Sequence, residues 1–425
     1  MHNFTHRSPH GQRGAAALLV TTLLCFAMLL VVAYAHRNVV VEEHASANQL
    51  RAAQAFEAAE AGIEWALSRL NDPTPAGPDC RPGIDASARS ARDRWLRFQG
   101  AAGDVVPATW SDAGTTTPLR AACVRGDGGW TCSCPASGAP SLAAPAGQAT
   151  APAFAVEFTA GPRPGIVHIV STGCTRGDAV CAGAADPTAN NAVARVEASF
   201  ALLPALRSAP VAALTTHGSV DAGTAALGVH HGDAASGTLA LHAGGHVAAS
   251  ALRITAPAGA SLEGTVAADD GALAALDADR FFARFFGMSV AAWAAQPAVT
   301  RVACSGDCTA AVGAAIAAGG RLLYIDADIT LAGPASFGAA GDPVALVGRG
   351  RLTLTGAVTV DGIVEAASLQ WDAAASGAAV RGAVLSAGHY RGDAAADFTH
   401  DSAVLTLLAT RAGSFVRING SWKDF

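Results

Sequence analysis

The sequence predicts an α+β chain: a long N-terminal membrane-spanning helix, a small antiparallel β head, and a Gly-rich, mainly-β C-terminal module with a docked helix. Three observations carry this. An uncharged run from Ala15 to Ala35 continues into an amphipathic stretch that reaches about Leu70 without a break. Segments of strand character cluster between residues 153 and 203. From about Ser208, short apolar runs are punctuated by Gly every few residues. The expected divisions are a basic leader over 1–14, the helix over 15–71, a disulfide-containing head over 72–206, and the module over 207–425 with a helical insert around 270–296.

The leader ends in Gln12-Arg13-Gly14. Crossing hydrocarbon takes about 20 apolar residues at roughly 1.5 Å each. Ala15–Ala35 supplies 21, interrupted only by Thr21, Thr22 and Tyr34. His6, Arg7 and Arg13 precede the run and Glu42 and Glu43 follow it. That asymmetry predicts a cytoplasmic N-terminus in an inner membrane, with the chain beyond Arg37 exported. A cleaved secretory signal is the rival, and Ala33-Tyr34-Ala35 fits its small-x-small site. Its apolar core would be shorter, about 7–15 residues. The following stretch places Leu50, Ala53, Phe56, Ala59, Ile63, Ala66, Leu67 and Leu70 on one stripe at helical spacing. Asn71-Asp72-Pro73 ends it. From Ala15 to Leu70 the rod would be about 84 Å long.

Together QRGAAALLVTTLLCFAMLLVVA and EEHASANQLRAAQAFEAAEAGIEWAL resemble the N-terminal region of PilX-type minor pilins of type IV pilus machinery, which are related to GspK-type pseudopilins. The ending GSFVRINGSWKDF resembles that of large pilus-assembly proteins with a PilX-like start. The resemblance implies a pilin-like helix and head, and cleavage by prepilin peptidase after Gly14, leaving Ala15 as the new N-terminus. Major pilins carry a Glu five residues past that cut; here the position is Leu19. In a filament such a carboxylate would need a positive partner on a neighbouring subunit. Its absence fits a subunit at or near the tip.

Composition bounds the remainder. Net charge is −6 and the only Lys is Lys423, with no basic stripe, so nucleic acid is excluded as an expected partner. Of nine cysteines, Cys25 sits in the membrane run. The others are Cys80, Cys123, Cys132, Cys134, Cys174, Cys181, Cys304 and Cys308, an even set that reads as disulfides in an oxidising compartment. Roughly 105 connectivities exist for eight. Cys174–Cys181 and Cys304–Cys308 would close short loops, leaving Cys80, Cys123, Cys132 and Cys134 to pair among themselves. A zinc site is the rival; Cys132-Ser-Cys134 has the wrong internal gap and no His at ligand spacing.

The stretch from 72 to about 150 reads as loops, with a short helix over Ala91–Gln99. Strands are expected over Ala153–Thr159, Gly165–Thr172 and Asn191–Leu203. Beyond Ser208, repeated short strands with Gly turns read as a β-solenoid-like stack, with a twisted sandwich as the alternative. The insert carries Leu273, Leu276, Phe281, Phe282, Phe285, Phe286 and Trp293, which reads as a helix docked across the stack rather than a membrane or partner patch. A second helix is expected over Asp401–Thr410 and a strand over Phe415–Ile418, with Trp422 and Phe425 tucked onto the body.

Asp326 and Asp328 would share one strand face and could act as an acid–base pair on a sugar; a solvated strand face is the plainer reading. The histidines at 217, 230, 231, 242 and 246 would line a face of the stack. Arg-Gly-Asp at Arg125–Asp127, Arg176–Asp178 and Arg391–Asp393 raises cell adhesion, though Gly-Asp is also ordinary turn chemistry. No nucleotide, hydrolase or metalloprotease motif is present. The expectation is therefore a non-enzymatic minor pilin or pilus-assembly subunit, without cofactor or metal. Its expected partners are other minor and major pilins, the inner-membrane assembly platform, lipid through Ala15–Ala35, and a surface or glycan ligand for the module. The alternative is a membrane-anchored periplasmic enzyme or glycan-binding protein.

Overall fold

A computed structural model describes residues 13–83, 90–112, 114–143, 145, 150–176, 181, 191–224, 226–248, 252–373, 375–393 and 395–424. Helix α1 runs unbroken from Arg13 to Asn71. Ala and Leu dominate it, and its only internal glycine past the first turn is Gly62. Asp72 ends it by accepting from Thr74 N–H (3.0 Å) and pairing with Arg69. Pro73 cannot continue the ladder.

The C-terminal third of α1 lies across an antiparallel sheet. Nine strands precede the texture change: β1 (Leu96–Gln99), β2 (Asp104–Pro107), β3 (Thr109–Asp112), β4 (Thr115–Pro118), β5 (Arg120–Gly126), β6 (Gly129–Ser133), β7 (Ala153–Ala160), β8 (Ile166–Cys174) and β9 (Val193–Pro204). The expected loop region before 150 thus contains β1 to β6. Ala91–Gln99 is not one helix: α2 stops at Trp95 and β1 follows, pairing with β2. Trp95 and Leu96 are both buried, and an extended backbone lets this short segment put both into the core.

The docking stripe of α1 also differs from the expected one. Leu50 is 61% exposed and Ala53 faces solvent. Ala59, Ile63, Ala66 and Leu70 of that stripe do face the sheet, and Ala55, Ala58 and Gly62 join them. Small residues win here because the backbones come close. A Cβ on Gly173 of β8 would strike the Ala55 carbonyl, and one on Gly62 would strike the Ser171 hydroxyl.

Seventeen strands, β10 to β26, most of them short, lie between Leu214 and His400 in one curled sheet whose pairings are parallel. The chain joins this sheet in its middle: Leu214 pairs with Leu241 on one side and with Val384 on the other. It then winds outward to Val266–Ala267, crosses outside as helices, and resumes at Val299 beside Leu322. Inward-facing Val, Leu, Ile, Phe398 and Trp371 fill the interior.

The crossing is three short helices rather than one: α3 (Gly271–Ala274), α4 (Ala278–Phe286) and α5 (Val290–Ala294). Asp270, Asp277 and Ser289 each cap a helix N-terminus, and Gly287 closes α4 in the left-handed conformation. Leu273, Phe281, Phe282, Phe285, Phe286 and Trp293 are buried against the outer face of the curled sheet, so they form no exposed patch. Helix α6 (Thr309–Ala317) was not expected; TAAVGAAIA has no polar face to mark a period. Helix α7 covers Ser402–Thr410 behind the Asp401 cap.

After α7 the chain returns to the head. β27 (Gly413–Arg417) and β28 (Lys423–Asp424) both pair with β9, so residues 413–424 belong to the head sheet rather than to the module. The junction is buried. Asn71 Nδ2 donates to the Phe415 carbonyl (2.9 Å) and Phe415 N–H donates to Asn71 Oδ1 (2.7 Å). Asn71→Ala would orphan both backbone groups. A loss of about 2 kcal/mol is expected, read as a lowered urea midpoint at unchanged slope.

Candidate functional site

The feature most unlike a self-contained domain is the first half of α1. Its apolar window is wholly unburied within the chain, and one helix is long and apolar enough to cross a membrane. Leu18, Leu23, Leu24, Phe26, Met28, Leu29 and Val31 all stand more than half exposed. Both threonine hydroxyls in this half are already satisfied. Thr21 Oγ1 donates to the Ala17 carbonyl (3.0 Å) and Thr22 Oγ1 to the Leu18 carbonyl (2.9 Å). The surface offered is therefore apolar all round, the pattern of a helix made for hydrocarbon or for other helices.

Gly14 is the second residue of α1, and Ala15 follows it in the same exposed turn. Leu19, at the glutamate position of major pilins, is 60% exposed and continues the apolar surface. Leader residues 1–12 lie outside the described residues. Beyond the apolar half, the helix is tied to the rest of the chain by side chains from its far end. Arg417 pairs with Glu64, Phe56 meets Trp422 edge-on at 6.1 Å, and a groove of about 630 Å³ opens between Leu67, Asn71, Pro297 and Val416. Phe425 lies outside the described residues.

The eight cysteines beyond α1 lie in four pairs at bonding distance: Cys80–Cys134, Cys123–Cys132, Cys174–Cys181 and Cys304–Cys308. Strand pairing decides the ones that spacing left open. Cys123 and Cys132 face each other across β5 and β6, which leaves Cys80 to meet Cys134 below. Cys25 is exposed on α1 with a free thiol.

Asp326 and Asp328 do not share a strand face. They lie in the exposed corner between β19 (Leu322–Ile325) and β20 (Ile329–Ala332), and Asp328 Oδ1 accepts from Arg351 N–H (2.7 Å). The five histidines do not line one face either. His217 Nε2 meets the Leu276 carbonyl and His242 meets Asp270 (2.7 Å), both tying the helical crossing to the sheet. His230 bridges Thr255 and Asp397, His246 is exposed, and His231 is buried. Among the described residues no three His, Cys, Asp or Glu side chains gather as a metal site. Arg125–Asp127 sits at the β5–β6 turn, and Arg391–Asp393 ends a strand of the stack, where Asp393 accepts from Ala373 N–H. Asp178 lies outside the described residues.

Two buried groups escaped the sequence reading. Glu365 is 3% exposed on the outer face beneath the helical crossing, in the row between Val347 and Leu385. Burial pushes its carboxyl up to about 8, against the smaller opposing pull of Arg349. The only signal is an acid set among apolar residues in the run GIVEAAS. His400 is the other, and it stacks on His231 with ring centroids 4.3 Å apart.

No family profile matches the chain, and no curated protein matches it. Among solved structures, the crystal structure of the competence-associated pilin ComZ from Thermus thermophilus is similar at 12% identity and a TM-score of 0.22, over 88% of this chain and 98% of that one. That likeness is too slight to define a shared fold.

Proposed function

We propose that this chain is a minor pilin or pilus-assembly subunit of the PilX type, anchored in an inner membrane through Ala15–Ala35 and then carried at or near the tip of a filament. One observation supports this above all. A single rigid helix is apolar and uncovered over its first half, yet firmly docked through small residues over its last third. A plain anchor needs no rigid continuation into the folded body. A subunit that must hand its helix from lipid to a bundle of other helices does, because the body then moves as one piece with the rod. The partners are other minor and major pilins and the assembly platform. The parallel strands from 214 to 400 form a solenoid-like module for surface or glycan binding, and the chain performs assembly and binding rather than turnover.

The mature N-terminus tests this. Mass spectrometry of the membrane-bound protein, and of sheared surface filaments, is expected to find a chain beginning at Ala15 in both. A water-soluble chain beginning near His36 would refute the reading. Leu24→Asp, at the centre of the apolar half, is expected to deplete the protein from membrane and filament fractions alike, since an ionised side chain there opposes insertion.

A further inference from the structure

The chain enters and leaves the module at one corner, and that corner is built around two histidines. His231 ends β12 (Leu227–His231), and His400 ends β26 (Asp397–His400) in the adjacent row. Their rings stack at 4.3 Å with both side chains buried. His400 Nε2 meets the Pro210 carbonyl at 2.9 Å, so it carries a proton there and holds the segment by which the chain reaches the stack. Ser236 Oγ lies 3.3 Å from His231 Nε2, in the turn that follows β12. Neither Nδ1 atom has a hydrogen-bond partner. His400 directly precedes Asp401, the cap of α7, through which the chain leaves for the head. Three segments therefore meet on this ring pair: the one arriving at Pro210, the turn at 233–236, and the one departing at 401–402.

We infer that the His231–His400 stack is an acid-released pin that holds together the segments by which the chain enters and leaves the module. Two neutral imidazoles can stack at this distance. An added proton places a charge on a buried ring with no acceptor at its Nδ1, against a second ring that resists the same change. The charged groups facing the pair are Asp233, from the turn after β12, and Asp401, from the start of α7. Asp233 is already engaged by Ser402, by Ala235 N–H and by Ser236. Burial holds both imidazoles below the ordinary histidine range, with His400 adding to the depression of His231. The carboxylates of Asp233 and Asp401 oppose it only in part. A depressed folded value means that the pin's contribution is fully present above the ordinary histidine pKa and is lost as pH falls through it towards the folded value. Acidification would loosen this corner while the head sheet, which has no part in the stack, stays closed.

Hydrogen exchange on the full chain in detergent tests this, with rates corrected for the intrinsic effect of pH. Between about pH 7.5 and about pH 5, protection over 209–214, 232–237 and 400–404 is expected to fall about tenfold or more. Protection over β8 should hold. The His231→Gln/His400→Gln double variant is expected to lose the step. Protection in those segments that does not change with pH, or a step that survives in a folded double variant, would overturn the proposal. Should the double variant fail to fold, imidazole NMR of the unaltered chain decides. Both rings titrating below the ordinary range, together with the exchange step, supports the pin. Either ring titrating at or above that range removes it.

Discussion

Gly173→Ala is expected to lift α1 off the head and cost about 3 kcal/mol of stability, although it adds a single methyl group. The reason is geometric. A Cβ at this position would sit against the Ala55 carbonyl and the Ala59 backbone nitrogen, closer than real Cβ atoms come to anything. Those are helix backbone atoms, so no rotamer change can make room. Either α1 or β8 must move. Because Ala55, Ala58, Ala59 and Gly62 all depend on that close approach, a shift at one rung loosens the whole seam. Thermal melting should show the loss in the folded body beyond α1 while the apolar half remains helical. An unchanged midpoint would mean that the helix and the sheet can part enough to take the methyl group at little cost.

Glu365→Gln is expected to stabilise the module, and more so as pH rises. The carboxyl is held near 8 in the folded chain, and an unfolded Glu titrates near its ordinary value. Between those two values the folded state holds a proton that the unfolded state has released. Stability therefore falls as pH climbs from the ordinary Glu range through about 8. At neutral pH the penalty is on the order of 3 kcal/mol. Gln has no proton to lose, so the variant should melt with a flatter pH profile and diverge from the parent most above pH 8. Equal slopes for the two proteins would show that Glu365 finds a compensating partner on folding.

Much of the architecture is legible from the residues because it rests on local rules. The unbroken helix follows from the absence of breakers between Ala15 and Leu70, and β7, β8 and β9 from their β-branched character. The Gly-punctuated texture after Ser208 marks where strands become short. What escapes is whatever depends on distant partners. Apolar periodicity favours Leu50 and Ala53 as docking residues, whereas the sheet selects Ala55 and Gly62 because Gly173, far along the chain, permits backbone approach. Cys80 cannot be assigned to Cys134 until β5 and β6 are known to be a hairpin. His231 is an unremarkable residue until β26 brings His400 onto its ring. Asp326 and Asp328 mislead for the opposite reason: YIDADITL alternates like one strand, but the curled sheet turns a corner within it.

The pairing of β27 and β28 with β9 has a consequence for how the protein is made. If the chain is exported as proposed, a polypeptide threaded outward from its N-terminal end exposes β9 long before its last dozen residues leave the translocation channel. Until then the head lacks one edge, Asn71 lacks its partner, and the open side of β9 is free to bond with other chains. The module therefore has to coil while tethered to an unfinished neighbour, and final closure awaits release of the carboxyl end. Truncating even this short tail should be felt first as misassembly during export, before any effect on the mature molecule.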